Sequence, residues 1–197
     1  MNVTVNGNAV DITLEDEKTV GDVLRGLETA FAQNNATTIG ITLNGTNIGA
    51  DAFDAAAQTP LADDTTIDVT VVSEDDVKAA FAAEAETSRT IAAKLEQIPV
   101  QLQSGKDKDA NAIISQLADL VDSVCHTASL AALFPPFFEK LTIAGKSISE
   151  FFAEFSDILN DFRQALEDKD NVLIGDLAEY EISPRLTALA DAIASQG

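Results

Sequence analysis

The chain is poor in the residues that most enzyme and metal chemistry requires. Its 197 residues include one cysteine, one histidine and no tryptophan. A single cysteine cannot form an internal disulfide, and there is no paired Cys/His set for zinc. Cys125 and His126 are neighbours, about 100° apart on a helix, which excludes a hydrogen-bonded nucleophile–base pair while they are helical. P-loop, dinucleotide-binding, G-x-S-x-G and H-E-x-x-H patterns are also absent. We therefore predict a non-enzymatic protein without cofactor or metal.

Positive charge is also scarce. Lys and Arg number 12 against 33 Asp and Glu, which gives a formal net charge of −21. Such a surplus repels nucleic acid and anionic membrane surfaces, so neither is an expected partner. No apolar run approaches the about 20 residues of a membrane span, and the first residues lack the basic and apolar regions of a secretion signal. We expect a cytoplasmic protein that binds another protein or a second copy of itself.

Residues 1–73 have the pattern of a small mixed domain. Two β-prone runs, 1–5 and 10–14, flank the turn signal Asn6-Gly7-Asn8 and predict a hairpin. A helix follows, with Thr19 as its N-cap and Asp22 in its first turn. Its apolar face repeats at helical spacing through Val20, Val23, Leu24, Leu27 and Phe31.

Later alternating runs predict the remaining strands of this domain. One strand covers 39–43, the turn signal Asn44-Gly45 leads into a short return strand at Ile48, and a last strand covers 67–71. Residues 51–59 read as short irregular structure. The predicted order is therefore β-β-α-β-β-β.

This order resembles the ubiquitin-like β-grasp fold. Residues 1–72 are similar to its small sulfur-carrier branch, known from thiamine and molybdopterin biosynthesis. The matching pieces are Val3-Thr4-Val5-Asn6-Gly7, Thr19-Val20-x-x-Val23-Leu24, Thr42-Leu43-Asn44-Gly45 and Pro60-Leu61-Ala62-Asp63-Asp64. The resemblance covers a little over a third of the chain, and its pieces concern turns and core more than activity.

The functional tail of that branch is missing. The resemblance implies a free Gly-Gly end directly after the last strand, where the terminal carboxylate becomes a thiocarboxylate. Here the strand leads into residues 72–76, Val-Ser-Glu-Asp-Asp, and then into more than a hundred further residues. We therefore predict a docking or structural module, with a sulfur-carrier-related protein as the alternative.

Residues 74–197 show helical periodicity throughout. Ser73 is a suitable N-cap for a first helix that Pro99 ends or kinks. A second helix follows the break at 105–107 and closes at 135–136, a third is capped by Ser147, and a fourth starts near 168–170 and is kinked at Pro184. The predicted fold class is thus α+β: a ubiquitin-like β-grasp domain over 1–73 and an antiparallel four-helix bundle over 74–197.

Seven of the ten phenylalanines lie between residues 134 and 162. They form either an aromatic core or, in part, a groove for a partner helix. Consecutive pairs favour the groove, because Phe151 and Phe152 point about 100° apart and cannot both face the bundle centre. The predicted partner-binding residues are Phe137, Phe138, Phe151, Phe152 and Phe155, with an acidic rim of Glu139, Glu150 and Glu154.

A second distinctive stretch runs from Gly175 to Pro184. Asp176, Glu179 and Tyr180 are three or four residues apart and share a helical face. They could bind a cation or a basic peptide, or they could brace neighbouring helices with Tyr180 half-buried. The segment 165–184 resembles helical proteins of bacterial flagellar and motility operons, which implies a link to that machinery.

These patterns leave three functional hypotheses. The first is a bacterial adaptor or assembly and export chaperone whose aromatic helical face holds a client, with the link to the flagellum that the resemblance implies. The second is the sulfur-carrier-related protein. The third is a structural homodimer in which the phenylalanines close a self-interface.

Overall fold

The chain divides into two compact units. A computed structural model describes residues 1–195. The first unit is Met1–Asp76, and the second begins at Val77. The fold class is mixed α and β, with a five-stranded sheet in the first unit and mainly helices in the second. The predicted helical segment 74–197 includes residues 196–197, which lie outside the described residues.

The first unit is built on a mixed sheet. Its strands are β1 (Asn2–Val5), β2 (Asn8–Ala9), β3 (Ala36–Leu43), β4 (Thr46–Asn47) and β5 (Thr66–Ser73). They lie in the order β2-β1-β5-β3-β4. β1 and β5 are parallel, while the other neighbouring strands are antiparallel. The first and last strands of this unit therefore lie side by side at the centre of its sheet.

Two Asn-Gly pairs make the hairpin turns that the sequence predicts. Asn6 and Gly7 have φ of 50° and 78°, and Asn44 and Gly45 have 51° and 79°, which confirms both turns. The predicted return strand over 10–14 is wrong, because β2 ends at Ala9. The register pairs Thr4 with Ala9, and the Val10 amide donates to the Val3 carbonyl at 2.9 Å just after the end of β2.

Helix α1 (Val20–Ala32) begins with the predicted cap, which is confirmed. The Thr19 hydroxyl accepts from the Asp22 amide, and the Asp22 carboxylate accepts from the Thr19 amide at 3.0 Å. Hydrogen bonds from the Lys18 amide and from Thr19 hold the pKa of Asp22 below its usual value.

The buried core between α1 and the sheet consists of Val3, Val20, Val23, Leu43, Ile67 and Val69. A short helix, α2 (Phe53–Ala57), replaces the irregular structure expected over 51–59.

The second unit contains mainly helices. They are α3 (Glu74–Leu95), α4 (Ile98–Gln103), α5 (Asp107–Ala131), α6 (Pro135–Phe138), α7 (Ile148–Asp168), α8 (Asn171–Asp176), a π-helical segment (Leu177–Ile182) and α9 (Ser183–Ala194). A small hairpin of β6 (Thr142–Ile143) and β7 (Lys146–Ser147) precedes α7.

Three features of this unit differ from the sequence prediction. Pro99 starts the extra helix α4 instead of only ending α3. Ala144 and Gly145, with φ of 50° and 79°, form a hairpin turn where only a break was expected. The predicted fourth helix contains a π-helical segment in which the Ser183 amide donates to the Ala178 carbonyl. Pro184 has no amide to donate to the carbonyl four residues earlier, and the wider π turn accommodates this loss.

Candidate partner-binding site

The phenylalanines of α7 divide between interior and surface. Phe151 and Phe155 are buried, with ring centroids 5.7 Å apart. Phe152 is half-buried and stands edge-on to Phe151 at 5.6 Å. The 100° offset between consecutive residues produces this split. Phe151 and Phe155 therefore stabilise the interior, and Phe152 is the member of the three that reaches the surface.

One of the two phenylalanines of α6 contacts another helix. Phe137 and Phe138 are both half-buried. The Phe137 ring lies 6.2 Å from that of Phe81 on α3, and the Lys78 ammonium lies 5.6 Å from the Phe137 centroid. This ring and cation fasten α6 to α3. The structure gives Phe137 a different set of neighbours from Phe151 and Phe152.

The predicted acidic rim has mainly local partners. Glu150 forms a capping box with Ser147, accepting from its amide at 2.9 Å and from its hydroxyl at 2.7 Å. These hydrogen bonds, the hydroxyl's first, lower the pKa of Glu150. Glu154 pairs with Lys146 across the start of α7, and Glu139 is exposed. Glu150 is thus part of the N-terminal cap of the helix that carries Phe151 and Phe152.

Phe152 lines a small apolar cleft between α5, α7 and α9, which we call the Phe152 cleft. Its volume is about 130 Å³. Its walls are Leu120, Val121, Val124, Cys125, Phe152, Phe155, Ser156, Leu159, Leu186 and Leu189. Partial burial raises the pKa of the Cys125 thiol, and the carboxylates of Asp122 and Glu84 add to the effect. The thiol therefore stays protonated and acts as an apolar wall.

A buried carboxylate that the sequence reasoning missed joins α3 to α5. Glu84 is 7% exposed and accepts hydrogen bonds from the Ser123 and Thr127 hydroxyls, each at 2.7 Å. Its second oxygen has no partner within residues 1–195. The signal was present in the pattern, because Glu84 lies on the apolar stripe between Phe81 and Ser88. Its two hydroxyl donors could not be assigned without knowing which helices are neighbours.

A second set of exposed apolar side chains in this unit lies on α4, α8 and the π-helical segment. Val100 of α4, Val172 and Leu173 of α8 and Tyr180 of the π-helical segment are 42% to 73% exposed, and we call them the α4–α8 surface. α4 packs against both α8 and the π-helical segment. The approach is close, since a Cβ on Gly175 would lie 3.2 Å from Cγ of Pro99. A glycine at this position lets the two helices meet.

The comparisons with known proteins cover both units. Residues 85–192 match the model of a domain of unknown function, DUF8042, and residues 1–73 match that of the TP0873 N-terminal domain. An uncharacterized protein of Treponema pallidum (strain Nichols) is 32% identical over 193 residues, which are 98% of this chain and 96% of the relative. The chain belongs to the DUF8042 family. No solved structure matches it.

The DUF8042 range contains the Phe152 cleft and the α4–α8 surface. It also contains Asp176, Glu179 and Tyr180, which the sequence placed on one face. Tyr180 is exposed in this DUF8042 domain instead of half-buried. A hydrogen bond with Glu179, and then the charges of Glu179 and Asp176, raise the pKa of the Tyr180 hydroxyl. The tyrosine therefore belongs to the surface of the helical unit.

Residues 1–195 contain no group of three His, Cys, Asp or Glu side chains placed to hold a metal ion. In the same residues, none of the helices combines the length and the apolar character of a membrane span.

Proposed function

We propose that the protein is a non-enzymatic protein-binding protein, an adaptor or an assembly chaperone. The observation that carries this proposal is the α4–α8 surface. Val172 is 73% exposed and Tyr180 is 64% exposed, on two consecutive helical segments that both pack against α4. Exposed apolar groups on neighbouring elements, rimmed by polar residues, are typical of protein contact sites.

Charge around this surface defines the kind of partner. Asp170 caps α8, and Asp176 and Glu179 lie beside Tyr180. The chain as a whole carries a net charge of −21. A partner with an apolar face flanked by Lys or Arg therefore fits best, since opposite charges speed association while the apolar contact provides affinity.

The Phe152 cleft supports the same proposal. An enclosed apolar cavity of about 150 Å³ accepts a benzene-sized group, and this cleft measures about 130 Å³. It could therefore hold one apolar side chain of a partner. A client that inserts such a side chain between α5, α7 and α9 would use Phe152 as an aromatic wall.

The architecture of the adaptor is also part of the proposal. We propose a ubiquitin-like β-grasp fold for the first unit and an antiparallel helical bundle for the second. The sheet order β2-β1-β5-β3-β4, with parallel central strands and one helix packed over the core, supports the first assignment. Buried apolar stripes along α3, α5, α7 and α9 support the second.

The junction after β5 favours an adaptor over a sulfur carrier. β5 ends at Ser73 and α3 begins at Glu74. The Ser73 hydroxyl accepts from the Asp76 amide at 3.1 Å, and the Asp76 carboxylate accepts from Ser73 in return. This reciprocal cap makes the residues after the strand helical, whereas a carrier needs a free tail there.

Affinity purification of the full chain from its own cells tests the proposal. The wild type is compared with Val172→Arg and with the control Leu133→Arg, which adds the same charge at an exposed leucine outside the α4–α8 surface. We expect one stoichiometric protein that the wild type and the control retain and Val172→Arg loses. A chain that purifies without a stoichiometric partner, or a partner that survives Val172→Arg, would contradict the proposal.

A further inference from the structure

The outer edge of β3 has a long stretch without a strand partner. β4 pairs only with Thr42 and Leu43. Within residues 1–195 no strand lies beside the outer edge of β3 from Ala36 to Gly40. Five extended residues span about 17 Å. An edge of this kind presents amide and carbonyl groups to any extended chain that approaches it.

The register shows which groups point outward. The Glu74 amide donates to the Asn35 carbonyl at 2.9 Å, so Asn35 faces β5. Hydrogen bonding alternates along an antiparallel ladder. Thr37, paired with Val72, therefore also faces β5, whereas Ala36 and Thr38 direct their amides and carbonyls away from it.

A groove of about 640 Å³ runs along this same edge. Four consecutive residues of β3, from Thr38 to Ile41, line it. Side chains alternate between the two faces of a sheet, so consecutive residues share a groove only when it follows the strand edge. The opposite walls are one face of α1, through Leu24, and the start of α2, through Phe53.

The groove exposes apolar side chains, and hydrogen bonds between α1 and β3 hold one of its ends. Ile39 is 45% exposed, and Phe53 is also exposed. The register shift between Thr38 and Gly40 places Ile39 at the bulge. The Glu28 carboxylate on α1 accepts from the Thr38 hydroxyl at 2.7 Å and from the Thr37 hydroxyl at 3.2 Å. These bonds hold the edge of β3 beside α1.

We propose that this groove binds an extended segment of a partner protein in which apolar residues alternate with Lys or Arg. The segment would add a strand to β3, pairing with Ala36 and Thr38 and placing its apolar side chains against Ile39, Leu24 and Phe53. A helix could not use the free edge, because its own backbone groups are already paired. This contact is independent of the α4–α8 surface and gives the protein a second binding site.

The net negative charge of residues 1–73 favours a basic partner segment over a second copy of the chain. Residues 1–73 carry 11 acidic and 2 basic side chains. Of the two basic side chains, Arg25 lines the groove and pairs with Asp22 at 3.3 Å. Two copies meeting edge to edge would bring two net-negative units together, whereas Lys or Arg between the apolar residues of a partner is attracted by the net negative charge of this unit.

Amide exchange on the full-length chain tests this pairing directly. The probe is a blocked octapeptide that alternates lysine and valine. Its control has the same charge, with proline in place of the two central valines. In the free chain we expect the Thr37 amide to exchange slowly and the Thr38 amide to exchange fast. The alternating peptide should slow exchange at Thr38 and shift the resonances of Ile39, Leu24 and Phe53, and the proline peptide should do neither.

A matched pair of variants separates the groove from general charge attraction. Ile39→Thr keeps a β-branched residue on the strand and should weaken peptide binding about tenfold. Leu14→Thr changes a similarly exposed residue outside the groove and should leave binding unchanged. Equal binding of both peptides, or equal binding by both variants, would overturn the proposal.

The same exchange experiment also distinguishes a partner segment from a second copy of the chain at the edge of β3. Slow exchange at Thr38 in the free chain, together with concentration-dependent dimers, would mean that a second copy covers the edge. Resonance shifts confined to the α4–α8 surface would overturn the β3 site while leaving the proposed function intact. Conversely, strand pairing at Thr38 would stand even if Val172→Arg kept its partner.

Discussion

The segment richest in phenylalanine is mostly buried, whereas the α4–α8 surface, which contains none, is exposed. Residues 134–162 contain seven of the ten phenylalanines, yet Phe134, Phe151, Phe155 and Phe162 are buried. The α4–α8 surface contains no phenylalanine, and its four side chains are 42% to 73% exposed. Aromatic density along a sequence therefore does not locate a contact surface. Exposure depends on which helices come together and on which faces are left outside.

Removing a buried ring is the strongest test of this contrast. Phe155→Ala should lower the free energy of unfolding by about 3–5 kcal/mol, because it leaves a cavity beside Phe151. Val172→Ala, at a side chain that is 73% exposed, should change it by less than about 0.5 kcal/mol. Urea titration of the full chain measures both. Equal losses in the two variants would erase the distinction between the regions.

Crowding the approach of α4 to α8 is the next largest perturbation. Gly175→Val should lower the free energy of unfolding by about 1–3 kcal/mol through overpacking, since even a Cβ would lie 3.2 Å from Pro99. Gly26 of α1 is a control in an open position, with no heavy atom within 4 Å of its added Cβ. Gly26→Ala should instead stabilise by up to about 1 kcal/mol. If Gly175→Val left the free energy of unfolding unchanged, α4 and α8 would be able to move apart without loss of stability.

Local signals were the part of this fold that the sequence predicted well. Thr19 with Asp22, Ser147 as a cap and both Asn-Gly turns involve residues within four positions of each other, and all are confirmed. The bulge that exposes Ile39 was not predictable, because it depends on the register between β3 and β5. Sequence alternation assigned that isoleucine to a half-buried row.

The candidate sites were harder to predict than the fold, for the same physical reason. The Phe152 cleft combines residues of α5, α7 and α9, and the groove along β3 combines residues of a strand and two helices. Periodicity assigns a residue to a face of its own element, but it does not say which element covers that face. Glu84 illustrates this, since its hydroxyl partners lie 39 and 43 residues away.

Replacing Phe152 with alanine tests how far this half-buried ring contributes to stability and how far to binding. Phe152→Ala should lower the free energy of unfolding by about 1–2 kcal/mol, less than Phe155→Ala, because part of the ring is in solvent and part contacts Phe151. If the cleft is used, partner affinity should fall in the same variant by more than its stability explains. Denaturation combined with titration of the purified partner provides both numbers. A variant as unstable as Phe155→Ala, with no separate binding defect, would assign Phe152 to the core.

The smallest effect concerns the acidic residue that begins α7. Because hydrogen bonds from Ser147 lower the pKa of Glu150 in the folded state, its contribution to stability is complete above the unfolded pKa. That contribution is lost as the pH falls through the folded pKa, so Glu150→Gln should reduce the loss of Tm on acidification. Glu139→Gln is the control, since Glu139 is an exposed carboxylate that lies outside α7 and its cap. Thermal melts from pH 7 down to about pH 3 compare the two variants across the range where capping carboxylates titrate. If both variants lose Tm on acidification as the wild type does, Glu150 acts only as a surface charge, whereas a smaller loss for Glu150→Gln alone would show that its hydrogen bonds with Ser147 stabilise the start of α7.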